Sequence, residues 1–205
     1  MKKGILILLV LFSTSMLSAL NLQKSAGLTL NATRYSWEYE YGDNTSQASF
    51  PYSVIGIEAF FDMTYFRVGL SYNSSMGDIT FETETDDSST SQDLEYEFST
   101  CDVMLIGKYP IKKGKFDIWP GLGINYSMNM TFNDEDGNEI EDTDMDDLYI
   151  LAVLGMDYHI DSKLYITGSL DFGYNINPKM YDNSSNEDDW SGYKSSIKIG
   201  AGYYF

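Results

Sequence analysis

The chain has 205 residues, with 31 acidic and 13 basic side chains, a formal charge of −18 and a single cysteine. One cysteine excludes an intramolecular disulfide framework and a cysteine-based structural zinc site. The excess of acids excludes a nucleic-acid partner, because phosphate binding needs a basic surface. Aromatic residues make up 15% of the chain, which argues against disorder and fits one folded domain.

The first 19 residues have the three parts of a secretory signal. Residues 1–3 are basic at two positions, 4–12 are apolar, and 13–19 are small and weakly polar. The apolar run is too short to cross a hydrocarbon layer of about 30 Å. We therefore predict a cleaved signal peptide over residues 1–19 and a mature domain over residues 20–205. No later apolar stretch is long enough for a membrane-spanning helix, which excludes a helical membrane protein.

The rest of the chain alternates between apolar and polar residues, a pattern typical of β-strands. The clearest run extends from Phe116 to Phe132, where one face is apolar and the other is small or polar. In the first run the phase changes near Arg34, which predicts a β-bulge there. The pattern predicts eight strands, in the regions 26–40, 52–61, 66–72, 96–109, 116–132, 148–160, 164–175 and 197–205.

The connections between these strands alternate in length. Short connections are predicted at 62–64, 110–115 and 161–163, and long ones at 41–49, 74–95, 133–147 and 176–190. Short turns at one end and long loops at the other are typical of an outer-membrane barrel. We predict an all-β fold, an eight-stranded antiparallel up-and-down transmembrane β-barrel with long acidic extracellular loops.

Three features favour an apolar face that points outward to lipid. The polar face is rich in Gly, Ser, Asn and Thr, which suits a narrow lumen. The apolar face of the clear strands has no charge. Aromatic residues near the strand ends suit a bilayer interface. These are Tyr35, Trp37, Tyr39, Phe61, Tyr65, Tyr126, Tyr158, Tyr203 and Phe205. The alternative is a soluble periplasmic barrel with its apolar face inward.

The C-terminal residues carry a resemblance to a known signal. Gly200, Tyr203 and the final Phe205 resemble the C-terminal assembly signal of bacterial outer-membrane barrels, which implies recognition by the barrel-assembly machinery. The predicted mature chain resembles the small eight-stranded family that includes the OmpA transmembrane domain, OmpX and OmpW. The resemblance implies an integral protein in the outer membrane bilayer of a diderm bacterium, with both termini periplasmic.

One internal stretch extends the resemblance. Residues 119–126, Trp-Pro-Gly-Leu-Gly-Ile-Asn-Tyr, are similar to a stretch of OmpW-like barrels. That similarity implies, as an alternative function, a conduit or binding barrel for small apolar molecules. The glycines of the same stretch do not form a dinucleotide fingerprint, because Tyr126 replaces the third glycine and no helix is predicted to follow.

Catalysis is not predicted. The single histidine, His159, lies beside the short turn at 161–163, whereas an embedded hydrolase needs a histidine at the outer rim. Nothing in the spacing of the acids singles out a catalytic pair. We therefore expect a non-enzymatic protein without a cofactor, although an outer-membrane enzyme stays open as a third class.

The acids are concentrated in the predicted long loops. Of the 31 acids, 24 lie within 38–43, 78–97, 134–147 and 182–189, and Lys179 is the one basic residue in the four long loops. Such density predicts extended loops that attract counter-ions or an extracellular ligand or host molecule. Loose association of a divalent cation is predicted at Asp134, Asp136, Glu139 and Glu141. An EF-hand is not predicted, because Phe132 and Thr143 occupy required ligand positions.

Alternation also predicts which side chains enter the lumen. A polar network is predicted there, which could form an ion-paired plug or a gated polar path. Its members are Glu58, Arg67, Asp102, Lys108, Asp117, Asp157, Asp171 and Lys198. A less polar inward sector is also predicted, which could hold a small apolar molecule. It consists of Val54, Phe60, Met104, Ile106, Leu151 and Val153. The predicted role is structural, with interaction through the loops, and the apolar conduit is the alternative.

Overall fold

A computed structural model describes most of the predicted mature domain. The described residues are 23–41, 46–76, 79–85, 88–94, 97–133, 146–176 and 189–205. The predicted signal peptide and the predicted cation-binding residues Asp134, Asp136, Glu139 and Glu141 lie outside them. Among the residues described, no helix is long and apolar enough to cross a membrane.

The described residues form eleven β-strands. Eight of them are long and make the barrel, while β4, β5 and β7 are additions to it. The strands are β1 (Lys24–Tyr41), β2 (Ser46–Met63), β3 (Phe66–Ser75), β4 (Ile79–Thr85), β5 (Ser88–Leu94), β6 (Glu97–Lys108), β7 (Ile111–Lys113), β8 (Phe116–Asn133), β9 (Asp147–His159), β10 (Leu164–Asn175) and β11 (Asp189–Tyr204).

The eight long strands close into a ring. Strand β1 pairs with β2 on one side and with β11 on the other, and the remaining order is β3, β6, β8, β9 and β10. All pairings are antiparallel. The predicted eight-stranded antiparallel barrel is therefore confirmed. The short turns, the start of β1 and the finish of β11 lie at one rim of the barrel, which we call the short-turn end. The long loops leave from the opposite rim, which we call the long-loop end.

The register fixes the tilt of the strands. A row of directly paired residues that begins at Ser53 passes through Arg34, Ser195, Phe172, Ala152, Leu122, Gly107 and Phe66 and returns to β2 at Met63, ten residues further along. A stagger of ten over eight strands tilts them by about 40° from the barrel axis, given a rise of about 3.3 Å per residue and a strand spacing of about 4.8 Å. This tilt is typical of outer-membrane barrels.

The two faces of each strand have opposite chemistry. Apolar side chains cover the outer wall, where Leu30 and Ile199 are exposed, while their neighbours Thr29 and Asn31 are buried inside. Because the pattern continues around the ring, the apolar face is the outer one, as hydrocarbon contact requires. The soluble alternative with an apolar interior is therefore wrong.

The first strand differs from its prediction. Pairing of β1 with β2 and β11 continues through Arg34 without a register shift, so the predicted bulge is wrong. Instead Tyr35 and Trp37 point inward and are buried, which is why apolar residues move to the other parity in this part of the sequence. Their predicted place at the outer interface is also wrong. An irregularity does occur elsewhere, between Ser99 and Thr100 on β6.

The predicted long loop at 74–95 contains a hairpin. Strands β4 and β5 pair with each other, and residues 82–85 of β4 pair with residues 46–49 of β2. The segment is rich in Ser, Thr, Asp and Glu and lacks an apolar face, so pairing here depends on backbone hydrogen bonds that no side-chain pattern reveals. Strand β11 likewise begins at Asp189, eight residues before its predicted start.

Candidate functional site

The candidate site is the lumen, where buried charged side chains are brought together. All eight charged residues predicted to face inward do so, with side chains that are buried or nearly so. Three further charged residues, Asp62, Asp147 and Lys194, also lie inside. They were missed because they fall just outside the predicted strands at 52–61, 148–160 and 197–205. Extending each alternation by a few residues would have found them.

Four charged residues at the short-turn end form one compact group, which we call the Arg67 cluster (Asp62, Arg67, Lys108 and Asp157). A nitrogen of Arg67 lies 2.7 Å from Asp62 and 3.7 Å from Asp157. Lys108 lies 2.6 Å from the other oxygen of Asp62. Each buried carboxylate therefore has a cationic partner, which offsets part of the cost of burial.

Aromatic rings enclose the Arg67 cluster. The guanidinium lies 4.4 Å from the ring centre of Phe60 and 4.6 Å from that of Trp119. The ammonium of Lys108 is 5.0 Å from Trp119. These are cation–π distances. Gly155 makes room for the indole, because a Cβ at that position would overlap Trp119.

A second charged group lies nearer the middle of the lumen. We call it the Lys198 cluster (Glu58, Asp102, Asp171, Lys194 and Lys198). Lys198 lies 2.5 Å from Glu58 and 2.9 Å from Asp171, and Lys194 lies 3.4 Å from Asp102. Hydroxyls complete the cluster, since Ser127 donates to Asp102 at 2.7 Å and Ser169 to Asp171 at 2.8 Å.

Aromatic side chains fill the lumen toward the long-loop end. We call them the aromatic layer (Tyr35, Trp37, Tyr52, Phe98 and Tyr149). Tyr35 stacks on Tyr52 with ring centres 4.8 Å apart, and Phe98 meets Tyr52 edge-on at 4.6 Å. Tyr149 lies 6.0 Å from Tyr35. Such offset and edge contacts are favourable arrangements for aromatic rings.

One carboxylate at this end has a different environment. Asp147 is buried and accepts hydrogen bonds from the Tyr149 hydroxyl at 3.1 Å and from the Asn175 amide at 2.9 Å. It forms no ion pair with any described residue. The long-loop end of the lumen therefore stabilises its carboxylate with neutral donors, whereas the Arg67 cluster uses cations.

The predicted apolar sector also lies inside, and its members are almost fully buried. Five of them pack with the aromatic layer and Trp119 into one hydrophobic cluster, while Phe60 packs on Arg67. The sector comprises Val54, Phe60, Met104, Ile106, Leu151 and Val153. Side chains therefore fill the lumen at each level, as expected for a ring of eight strands.

The single histidine lies at the short-turn end. His159 and Asp117 are 3.0 Å apart, and the imidazole stacks on Tyr204 with ring centres 5.7 Å apart. The imidazole nitrogen therefore contacts a carboxylate rather than a serine. Within the described ranges no three His, Cys, Asp or Glu side chains are grouped as metal ligands.

The C-terminal residues occupy the seam between β1 and β11. A Cβ at Gly200 would overlap the backbone of Leu28 and Thr29, so only glycine fits this close approach. Tyr203 and Phe205 are exposed on the outer wall, and Phe205 lies 6.1 Å from the ring of Phe61. The predicted assembly residues thus present aromatic rings outward at the short-turn end.

The turn at 161–163 is ordered by one acid outside the barrel wall. Asp161 accepts hydrogen bonds from the backbone N–H of Lys163 at 2.7 Å and of Leu164 at 2.8 Å. These two bonds lower the pKa of the Asp161 carboxyl below its ordinary value, because they favour the charged form.

The match to a family model agrees with this architecture. A family model described as "Outer membrane protein beta-barrel domain" matches residues 5–205. Among solved structures, the outer membrane protein OprG of Pseudomonas aeruginosa is 12% identical, with a TM-score of 0.49 and coverage of 90% of this chain and 96% of OprG.

Two other solved structures are similar at comparably low sequence identity. Neisserial surface protein A is 9% identical, with a TM-score of 0.49 over 88% of this chain and 99% of its own. Ail of Yersinia pestis, solved with the heparin analogue sucrose octasulfate, is 12% identical, with a TM-score of 0.40 over 89% and 99%. No curated protein sequence matches the chain.

Proposed function

Since the chain belongs to the outer membrane protein β-barrel family, and so lies in the lipid bilayer of the outer membrane, we propose that it serves there as a closed, non-catalytic anchor for its four long loops. The observation that carries this proposal is that an ion pair and a hydrogen bond of buried cations join opposite walls of the lumen. A barrel tied in this way supports loops rigidly and leaves no continuous water path.

The ties join opposite walls. Strands β3 and β10 are four places apart in the ring of eight, and Arg67 donates to Thr167 across this diameter at 3.3 Å. Strands β11 and β6 are also four places apart, and Lys194 reaches Asp102 across the ring at 3.4 Å. Buried charges that are fully paired resist separation, because breaking one pair leaves an uncompensated charge.

The proposed orientation places the long loops outside and both termini in the periplasm. The predicted acid-rich loops then form an anionic surface for an extracellular ligand, a host molecule or loosely held divalent cations. On the other side Gly200, Tyr203 and Phe205 are proposed to be recognised by the barrel-assembly machinery. Under this proposal the protein has no cofactor and catalyses no reaction.

Conductance tests the closed lumen. The refolded chain in a planar bilayer is expected to be electrically silent, with folding verified by a heat-dependent shift in gel migration. A variant with both Lys194→Ala and Lys198→Ala removes two cations from the middle of the lumen and serves as the positive comparison. Steady unitary currents from the unaltered chain would contradict the proposal.

Calcium tests the loop assignment. Changing Asp134, Asp136, Glu139 and Glu141 to their amides should lower the calcium bound by the folded barrel, measured by calorimetry with calcium alone. A matched variant that neutralises Glu82, Glu84, Asp86 and Asp87 removes the same charge from another loop region. Equal loss in both variants would reject a preference for 134–141, and no loss in the first would reject cation association there.

The apolar conduit remains the second candidate. Its support is the inward sector that includes Val54, Ile106 and Leu151, which is apolar and buried. This function requires the sector to admit a small apolar molecule. Proteoliposomes with the folded chain should then bind an uncharged naphthalene fluorophore, and Leu151→Trp should abolish that binding. Fluorescence no greater than that of empty vesicles would exclude the conduit.

A further inference from the structure

One cation stands on the outer wall of the barrel near the long-loop end. Arg34 points outward and is exposed. It is paired with Ser53 on β2 and Ser195 on β11, so small hydroxyl side chains flank it on both sides. It makes no ion pair with another described residue.

The height of Arg34 matches a ring of tyrosines. A stagger of ten over eight strands means that a level line shifts by about 1.25 residues at each strand. Followed from Arg34, this line passes close to Tyr193, Tyr174 and Tyr72, which point outward with exposed fractions of 45, 48 and 59%. Outward tyrosines mark the boundary between headgroups and hydrocarbon.

The spacing along β1 places Arg34 at the same boundary independently. Lys24 and Arg34 share one face and are ten residues apart, which is about 25 Å along the barrel axis at a tilt of about 40°. This is the height of the apolar band of an outer-membrane barrel, about 25 Å. The outward residues between them are apolar, namely Ala26, Leu28, Leu30 and Ala32.

A groove runs from Arg34 into this apolar band. It has a volume of about 600 Å³, and Ala32, Leu170, Phe172 and Ile197 line it below the arginine. Small side chains on β1 and β11 form its floor, while Phe172 stands at its edge with an exposed fraction of 60%. An extended hydrocarbon chain fits such a groove, because both are apolar and both lie along the wall.

We propose that Arg34 and this groove bind one anionic lipid, whose headgroup phosphate carries a net negative charge. The guanidinium receives the phosphate, with the hydroxyls of Ser53 and Ser195 as further donors, and one acyl chain occupies the groove. A guanidinium matches the geometry of phosphate oxygens with two parallel hydrogen bonds. The proposed orientation makes this a lipid of the outer leaflet, although binding itself does not depend on that orientation.

The free cation distinguishes this groove from another groove on the outer wall of the described barrel as a site for an anionic lipid. A larger groove of about 720 Å³ includes Lys108 in its lining, but that ammonium turns inward to Asp62. The exposed acid on the same face of β1, Glu38, lies four residues beyond Arg34, about 13 Å along the strand. That separation exceeds the screening length of about 8 Å at physiological salt.

Retention of lipid tests the proposal. The full chain is refolded in micelles that contain equal amounts of phosphatidylcholine and a diphosphorylated lipid A, and bound lipid is counted by native mass spectrometry. We expect one lipid A per wild-type barrel and about five- to tenfold weaker retention by Arg34→Gln, the effect of losing one interfacial cation. Lys24→Gln, on the same strand and face, should retain lipid A like the wild type.

Two further measurements separate a lipid from a free anion. Ala32→Phe fills the groove but keeps the arginine and should weaken retention, while millimolar inorganic phosphate should not displace the lipid. Heat-dependent gel migration verifies folding for each variant. Arg34→Lys keeps the charge but loses the bidentate geometry, so its retention should lie between those of Arg34→Gln and the wild type. Wild-type retention by Arg34→Gln or Ala32→Phe, equal loss in Lys24→Gln, or displacement by phosphate would overturn the proposal. Because conductance is not involved, these outcomes are independent of the closed-lumen proposal.

Discussion

The two halves of the lumen are filled by different interactions. At the short-turn end, Arg67 and Lys108 pair with Asp62 and Asp157, and each cation also lies over Trp119. At the long-loop end, stacked rings fill the lumen instead, and the buried Asp147 accepts hydrogen bonds from neutral donors. Ion pairs dominate the first half, whereas contacts between rings dominate the second, where Lys194 lies over Tyr35 and Tyr149.

The difference teaches what each half can tolerate. Buried ion pairs lose several kcal/mol when one partner is removed, because the other charge remains desolvated. Truncating a packed ring costs only the contacts of the deleted atoms and the free energy of the cavity that they leave. The short-turn half should therefore respond sharply to single changes, and the long-loop half gradually.

The largest expected effect is at Arg67. Arg67→Met leaves Asp157 without a cation and should cost about 3–5 kcal/mol, measured by urea unfolding of the barrel in lipid vesicles. Adding Asp62→Asn and Asp157→Asn should recover part of that loss, since the unpaired charges are then gone. A loss below about 1 kcal/mol for the single variant would remove the distinction between the two halves.

A smaller effect is expected in the aromatic layer. Tyr35→Leu removes the ring stacked on Tyr52 and should cost about 2 kcal/mol through lost ring contacts and a cavity. Tyr174→Leu is the matched control, because Tyr174 pairs with Tyr193 on the outer wall, where lipid fills any gap. The comparison fails if the inner variant is as stable as the outer one in the same unfolding assay.

Overpacking should sharpen the comparison further. Gly155→Ala places a methyl group against the Trp119 indole, which should cost about 1–3 kcal/mol. At Gly107, by contrast, the nearest atom to a Cβ would be 3.7 Å away, so Gly107→Ala should be nearly neutral. Thermal gel-shift midpoints measure both, and equal midpoints would show that Trp119 moves freely.

The smallest effect concerns the exposed turn at the short-turn end. The pKa of Asp161 is lowered, so its bonds to the backbone are fully present above the ordinary aspartate pKa of about 3.9 and are lost as pH falls through the lowered value. Hydrogen exchange at Lys163 and Leu164 should therefore lose protection only at strongly acid pH. Asp161→Asn should make that protection independent of pH, and a pH-dependent loss in this variant would point to another group.

The sequence predicted the features that depend on alternation of apolar and polar residues along a strand. The run from Phe116 to Phe132 became β8, and inward parity placed Glu58 and Lys198 in one lumen although they are far apart in the chain. Parity also held at Tyr35 and Trp37. The predicted change of phase was wrong there, because a ring is apolar enough for lipid and flat enough to stack inside. Side-chain type alone does not distinguish these two environments.

Other features depend on information that is not local. The β4–β5 hairpin pairs through backbone groups of a polar segment, so its residues resemble a loop. The partners of Asp62, including Lys108, became visible only when the register was known. Arg34 was interpreted as a disturbance of the pattern, whereas its significance lies in its height on the wall, which follows from the stagger of the whole ring.

The pairing of β1 with β11 determines how the barrel must fold. This seam joins Ser25 to Tyr204 and continues to Glu40 opposite Asp189, so its contacts span almost the whole described chain. Closing so large a loop costs entropy that no local contact repays, which makes folding slow and cooperative. No partial product of synthesis can close the ring, because the strand that seals it is the last of the eight to be made. The barrel must therefore be kept unfolded until its full length is available.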